Sequence, residues 1–228
     1  MTVLELNPTK LGTKEHWDDV YDQELKSFED LGEEGEVWFG EETVEKMVDW
    51  CIKNIPPAPS QKILEVGCGN GTLILGLLEA GYSAETLHGI DYSEGAVNLA
   101  RAVAAARKGS GITYTRRDFL KDDSLHPNDS AASWDLLLDK GTLDAIALAQ
   151  KDEKGRSLIS YYPAQVARLL KTGGIFLITS CNFTEEELKE IFTSDRLDYL
   201  SRIKHPAYTF GGKSGSAYAS VAFRRTSA

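Results

Sequence analysis

Two rhythms of apolar residues divide the chain. From Lys14 to Phe28, His16, Trp17, Val20, Tyr21 and Leu25 recur at helical spacing with acidic residues between them, which predicts an amphipathic helix. A second helix is expected from Glu42 to Lys53, burying Val44, Met47, Val48 and Cys51, until Ile55-Pro-Pro-Ala-Pro59 ends it. Beyond that point short, continuous apolar runs take over: Ile63–Val66, Thr86–Asp91, Ile112–Arg116, Trp134–Asp139 and Gly173–Ser180. Such runs read as strands buried on both faces. Helical stretches separate them. One starts after Thr72, one is N-capped by Ser93, one runs from Tyr161 to Leu170, and one begins at the capping box of Thr184 and Glu187. In that last helix the acidic run Glu185 to Glu187 complements the helix dipole and needs no catalytic role.

Strands alternating with helices predict a doubly wound α/β sheet that binds its ligand at the carboxyl ends of its strands. Near the end, Leu197–Ile203 and Ala217–Phe223 alternate in polarity. The loop between them is too short for a crossover helix, so this pair is expected to be antiparallel. Residues 1–13 are expected to be poorly ordered and 121–133 to form a polar loop. Residues 14–228 are expected to make a single domain, with 14–60 as a helical lead-in and 61–228 as the core.

Composition narrows the partners. A formal net charge of −10 argues against nucleic acid, because phosphate binding needs clustered Lys and Arg. Cys51, Cys68 and Cys181 are odd in number and widely spaced, which predicts reduced thiols and a cytoplasmic protein. No apolar run approaches membrane-spanning length, and a monomer is expected. His16, His88, His126 and His205 show no metal-ligand or triad spacing, so no metal site is expected.

The chemistry concentrates in Lys62-Ile-Leu-Glu-Val-Gly-Cys-Gly-Asn-Gly-Thr72, a strand, a turn with Gly67, Gly69 and Gly71, and a helix start. Glycine permits positive φ and close approach of a ligand to the backbone, and the free N–H groups of a helix start suit an anionic group. The third glycine arrives one residue too early for a dinucleotide fingerprint, which disfavours a nicotinamide oxidoreductase. Acids then recur at successive strand ends: Asp91, Asp118 and Asp139. Asp91 is placed to accept hydrogen bonds from ribose hydroxyls, with Tyr92 next to it for the adenine.

Glu65-Val-Gly-Cys-Gly-Asn-Gly71 resembles motif I of class I S-adenosylmethionine (SAM)-dependent methyltransferases, whose seven-stranded, mostly parallel sheet closes with an antiparallel hairpin. The resemblance implies SAM as cofactor. It further implies that Glu65, the three glycines, Asp91, Tyr92, Asp118, Phe119, Asp139 and Trp17 are cofactor-binding residues. Glu65 would serve either the methionine portion or the glycine turn itself. Methyltransferases acting on amides or base amines commonly carry Asn/Asp-Pro-Pro-aromatic where this chain has Asp139-Lys-Gly-Thr142. That departure argues against nucleic-acid bases and glutamine as acceptors.

Asp139-Lys-Gly-Thr-Leu-Asp144, Trp38-Phe-Gly40 and the Trp17-Asp-Asp-Val-Tyr21 helix together resemble a group of protein-lysine methyltransferases that act on translation elongation factor 1-alpha. The similarity extends from about Lys10 onward. It implies orienting roles for Asp139 and Lys140 and an acceptor site at Trp38, Phe39, Tyr208 and Phe210. Two other readings share the cofactor corner: a small-molecule methyltransferase, and a non-catalytic methyltransferase-like partner protein.

Overall fold

Residues 6–122, 134–210 and 213–227 are described by the computed structural model, with the backbone alone at 207–210 and 213–214. The first core run forms β1 (Ile63–Val66), with all four residues buried. After it come α3 (Thr72–Glu79), β2 (Leu87–Asp91), α4 (Glu94–Ala106), β3 (Thr113–Arg116) and β4 (Trp134–Lys140). The second half supplies α5 (Thr142–Ala147), α6 (Tyr162–Leu169), β5 (Leu170–Ser180), α7 (Glu185–Phe192), β6 (Leu197–Ile203), β7 (Ala207–Phe210), β8 (Lys213–Ser216) and β9 (Ala219–Arg225). The lead-in carries α1 (Lys14–Leu31) and α2 (Glu41–Asn54).

The main sheet has seven strands in the order β3-β2-β1-β4-β5-β9-β6. β1 to β5 are mutually parallel, and β9 runs antiparallel between β5 and β6. This is the doubly wound sheet with an antiparallel C-terminal pair that the sequence predicts. Strand order reverses at β1, so a crevice opens beyond the ends of β1 and β4. Val66 there pairs with Ile90 on one side and with Asp139 on the other.

Alternation along the strands feeds two cores. Ile63, Leu136 and Leu138 pack with Met47, Cys51 and Leu73 of the helices on one face. Leu64, Val66 and Leu137 pack with Tyr162, Phe176 and Phe192 on the other. The capping predictions hold: Ser93 Oγ accepts from Ala96 N at 3.5 Å, and Thr184 and Glu187 form a reciprocal capping box.

Two expectations are corrected and one unassigned stretch is filled. The stretch from Leu6 to Thr13 is folded: Lys10–Gly12 forms a 3-10 turn, Thr9 N donates to Leu148 O at 3.0 Å, and Leu6 packs on the second core. Residues 142–147, which the sequence pattern leaves unassigned, form α5. The loop between the last two main strands folds into a separate ribbon, β7 with β8. Of the polar segment 121–133, residues 123–133 lie outside the described residues, and so does His126.

Candidate active site

The glycine turn takes the backbone where a side chain would not fit. Gly67, Gly69 and Gly71 have φ of 63°, 52° and 80°. A Cβ on Gly67 would overlap the Thr142 hydroxyl, one on Gly69 would sit 2.5 Å from the Tyr21 hydroxyl, and one on Gly71 would sit 2.7 Å from that of Tyr114. Thr142 Oγ1 itself donates to Val66 O at 2.7 Å, tying the start of α5 to the end of β1. Asp91 holds the turn from β2, accepting Gly69 N at 3.1 Å on one oxygen and Ser93 N at 2.9 Å on the other. Burial pushes its carboxyl up to about 6, against these backbone hydrogen bonds.

A cavity of about 550 Å³ opens along this edge, within the roughly 300–1,000 Å³ of small-molecule sites. Gly67, Gly69, Asp91, Tyr92, Asp118 and Phe119 line it. Asp118 Oδ1 accepts Leu120 N at 3.1 Å and its Oδ2 pairs with Lys121 at 3.2 Å. Phe119 packs on the Tyr162 ring, centroids 4.6 Å apart. Trp17, Trp38, Phe39 and Lys140 also line the cavity. Trp17 donates to Leu11 O at 2.7 Å, stacks on Tyr21 and meets Trp38 edge-on. Lys140 Nζ donates to Trp38 O at 2.9 Å, and burial pushes its amine down while Glu65 and Asp139 oppose that shift. Phe39 adopts φ of 69°, an uncommon conformation for a bulky residue. Its ring covers Gly141 and stacks on Tyr218 at 5.0 Å.

Three residues expected at the cofactor do not line the cavity. Glu65 is 1% exposed and takes a hydrogen bond from the Ile74 backbone behind the glycine turn. Of its two predicted roles, buttressing the turn is the one this position fits. Gly71 packs on Tyr114 and opens α3.

The larger correction concerns Asp139, which is fully buried. It accepts Thr142 N at 2.7 Å on one oxygen, and Leu143 N at 3.1 Å and the Tyr162 hydroxyl at 2.5 Å on the other. Its carboxyl, pushed by burial up to about 7, braces the turn into α5 and does not reach the cavity. Strand alternation explains this, because Asp139 follows Leu137 onto the Tyr162 face of β4 while Lys140 follows Leu138 onto the other. The side chains of Tyr208 and Phe210 lie outside the described residues.

Sequence reasoning missed Asp144, Tyr161 and Asn182, all of which line the cavity. Asp144 ends the run Asp-Lys-Gly-Thr-Leu-Asp, but with α5 unrecognised nothing fixed its direction. Among the described residues no cluster of His, Cys, Asp and Glu is arranged to hold a metal, and no helix is long and apolar enough to cross a membrane.

The cavity fits SAM on its own chemistry. Glycine backbone walls it closely. Each Asp91 oxygen keeps acceptor capacity beyond its one backbone donor, which suits a ribose diol, and the Phe119 ring is placed for a base. With the sheet order, these features define a class I SAM-dependent methyltransferase.

Residues 58–216 match a family model described as a methyltransferase domain. Protein-lysine N-methyltransferase efm4 of Schizosaccharomyces pombe is 40% identical, over 96% of this chain and 95% of its own. Human EEF1A lysine methyltransferase 2 is 37% identical, over 96% and 88%. Among solved structures, the N-methyltransferase NodS of Bradyrhizobium japonicum, in complex with S-adenosyl-L-homocysteine, superposes with a TM-score of 0.60 at 15% identity, over 92% of this chain and 98% of its own. The chain therefore belongs to the family of protein-lysine methyltransferases that includes fission-yeast efm4 and human EEF1A lysine methyltransferase 2.

Proposed function

We propose that this chain methylates a lysine of translation elongation factor 1-alpha, acting as a cytoplasmic monomer. Its relatives carry that substrate or that reaction in their names. The observation that carries the reading is a junction between two segments about a hundred residues apart. Lys140 Nζ hydrogen-bonds the Trp38 carbonyl and Phe39 covers Gly141, which makes an aromatic chamber continuous with the glycine cradle. Gly67, Gly69, Asp91, Tyr92, Asp118 and Phe119 would hold SAM, whose sulfonium supplies an activated methyl group.

Little remains for the protein to do except prepare the acceptor. A free lysine, with a pKa of about 10.4, is mostly protonated at neutral pH. Desolvation between Trp17, Trp38 and Phe39 favours the neutral amine, and holding it in line supplies most of the remaining advantage. Asp139 takes no part as a base, because its oxygens are enclosed by Thr142, Leu143 and Tyr162.

Incubation with labelled SAM and purified elongation factor 1-alpha, followed by peptide mapping, tests the reading. Label on a lysine, abolished by Asp91→Ala, is expected. Label absent from the factor but present in a metabolite pool would favour the small-molecule reading instead.

A further inference from the structure

Sheet order lays the cavity out in a line. Asp118 follows β3, Asp91 ends β2, the glycine turn follows β1, Lys140 ends β4, and Cys181 and Asn182 follow β5. The nucleoside-binding groups thus occupy one end, and the β4 and β5 termini form the other. Asp144, in the first turn of α5, bridges those two termini. Its Oδ1 accepts Ser180 Oγ at 2.8 Å and Asn182 N at 2.7 Å, with Cys181 Sγ at 3.8 Å. Its Oδ2 is buried and has no hydrogen-bond partner.

The other cavity-lining carboxylates are accounted for. Asp91 and Asp118 have a partner on each oxygen, and Glu36 is exposed. Asp144 is 5% exposed, its partners are all neutral, and it forms no ion pair among the described residues.

An unpartnered carboxylate oxygen in a buried site is costly unless a donor arrives. The group that suits it is a cation carrying N–H donors, small enough to pass between aromatic rings. Trp38 and Tyr161 line the same chamber, and aromatic faces attract such a cation. We propose that Asp144 is the acceptor-binding residue: its Oδ2 receives the ε-ammonium of the target lysine and orients the nitrogen toward the cofactor end. The proposal rests on the lysine reading above. It concerns binding and orientation before transfer, with Oδ1 locked by Ser180 and Asn182 so that Oδ2 keeps a fixed direction. Burial holds the Asp144 carboxyl above its ordinary range, so after capture Oδ2 can take the ammonium's proton and leave the neutral amine for transfer.

Asp144→Asn keeps the size and removes the charge. With elongation factor 1-alpha as substrate, kcat/KM is expected to fall by about 100-fold, while the SAM dissociation constant, which also reports on folding, stays within about twofold. Asp144→Glu, which restores the charge, should recover part of the loss. A second measurement uses the factor with its mapped lysine replaced by Met. Wild-type enzyme should bind it more weakly than the normal factor, and Asp144→Asn should bind the two alike.

Turnover by Asp144→Asn within threefold of wild type, with the factor still labelled by wild type, overturns the role of Asp144 and leaves the lysine reading standing. Loss of SAM affinity in step with turnover also overturns it, by making Asp144 a structural residue. A wild-type chain that labels no lysine removes the lysine reading and this role with it.

Discussion

Where β1, β2 and β3 end, the cavity is lined by carboxylates whose oxygens all have partners inside the protein, and the glycine turn admits no side chain. Where β4 and β5 end, Asp144 keeps an oxygen without a donor and Trp38 keeps a buried indole N–H without an acceptor. Glu65 Oε2 and the Tyr114 hydroxyl are also buried without partners, but neither residue lines the cavity, so the first end recognises a ligand by shape and spare acceptor capacity. Unmet polar groups at the second await a partner that brings its own hydrogen-bonding groups. A cofactor common to many enzymes suits the first arrangement. An acceptor that differs between them suits the second.

The sharpest way to break this contrast is Gly67→Ala. Its φ of 63° and the overlap with Thr142 leave no room for a methyl group. We expect a stability loss of about 2–4 kcal/mol and at least 100-fold weaker SAM binding, read by thermal melting and by titration. Asp139→Ala strikes the brace shared by both ends. It strands two backbone N–H groups and the Tyr162 hydroxyl in a fully buried position, at a cost of about 3 kcal/mol. For a chain of this size that corresponds to a fall in Tm of roughly 6–12 °C. SAM and acceptor binding should weaken together, whereas a selective loss of turnover would return Asp139 to a catalytic role.

The smallest effect concerns pH. Burial raises the Asp91 carboxyl to about 6, so it is ionised above that pH and protonated below. Ribose hydroxyls donate to the ionised form, so binding lowers this pKa and SAM affinity should fall as pH drops through 6. Between pH 7 and pH 5 the loss should be on the order of tenfold, as measured by titration. Asp91→Asn should bind more weakly and show a flat profile. A wild-type profile that is itself flat would show that Asp91 carries no ligand-dependent charge.

Much of this was legible in the sequence because the signals are local. The glycine spacing, the caps at Ser93 and Thr184 and the antiparallel pairing of the last main strands all reappear in the structure. The two motifs of the family resemblance, Trp38–Gly40 and Asp139–Thr142, meet through the Lys140 hydrogen bond to Trp38 O. What failed depended on direction. β4 is buried on both faces, so its sequence holds no contrast of polar and apolar positions to tell which way Asp139 turns. Six-residue α5 is too short for a periodic pattern to declare itself, and Asp144 went unnoticed with it. The 3-10 turn at Lys10–Gly12 owes its place to Leu148, more than a hundred residues away.

By itself, then, the sequence determined the order of the seven main strands and of the longer helices, the glycine turn and the acid at the end of β2. Those follow from backbone conformation and from periodicities that span a few residues. Tertiary structure alone decided that Asp139 faces inward to Tyr162, that Lys140 reaches back to Trp38, and that a buried oxygen of the cavity-lining Asp144 is left without a donor. The reason is physical: whether a buried carboxylate is satisfied depends on donors brought to it by other strands and helices, and those donors have no fixed distance from it along the chain.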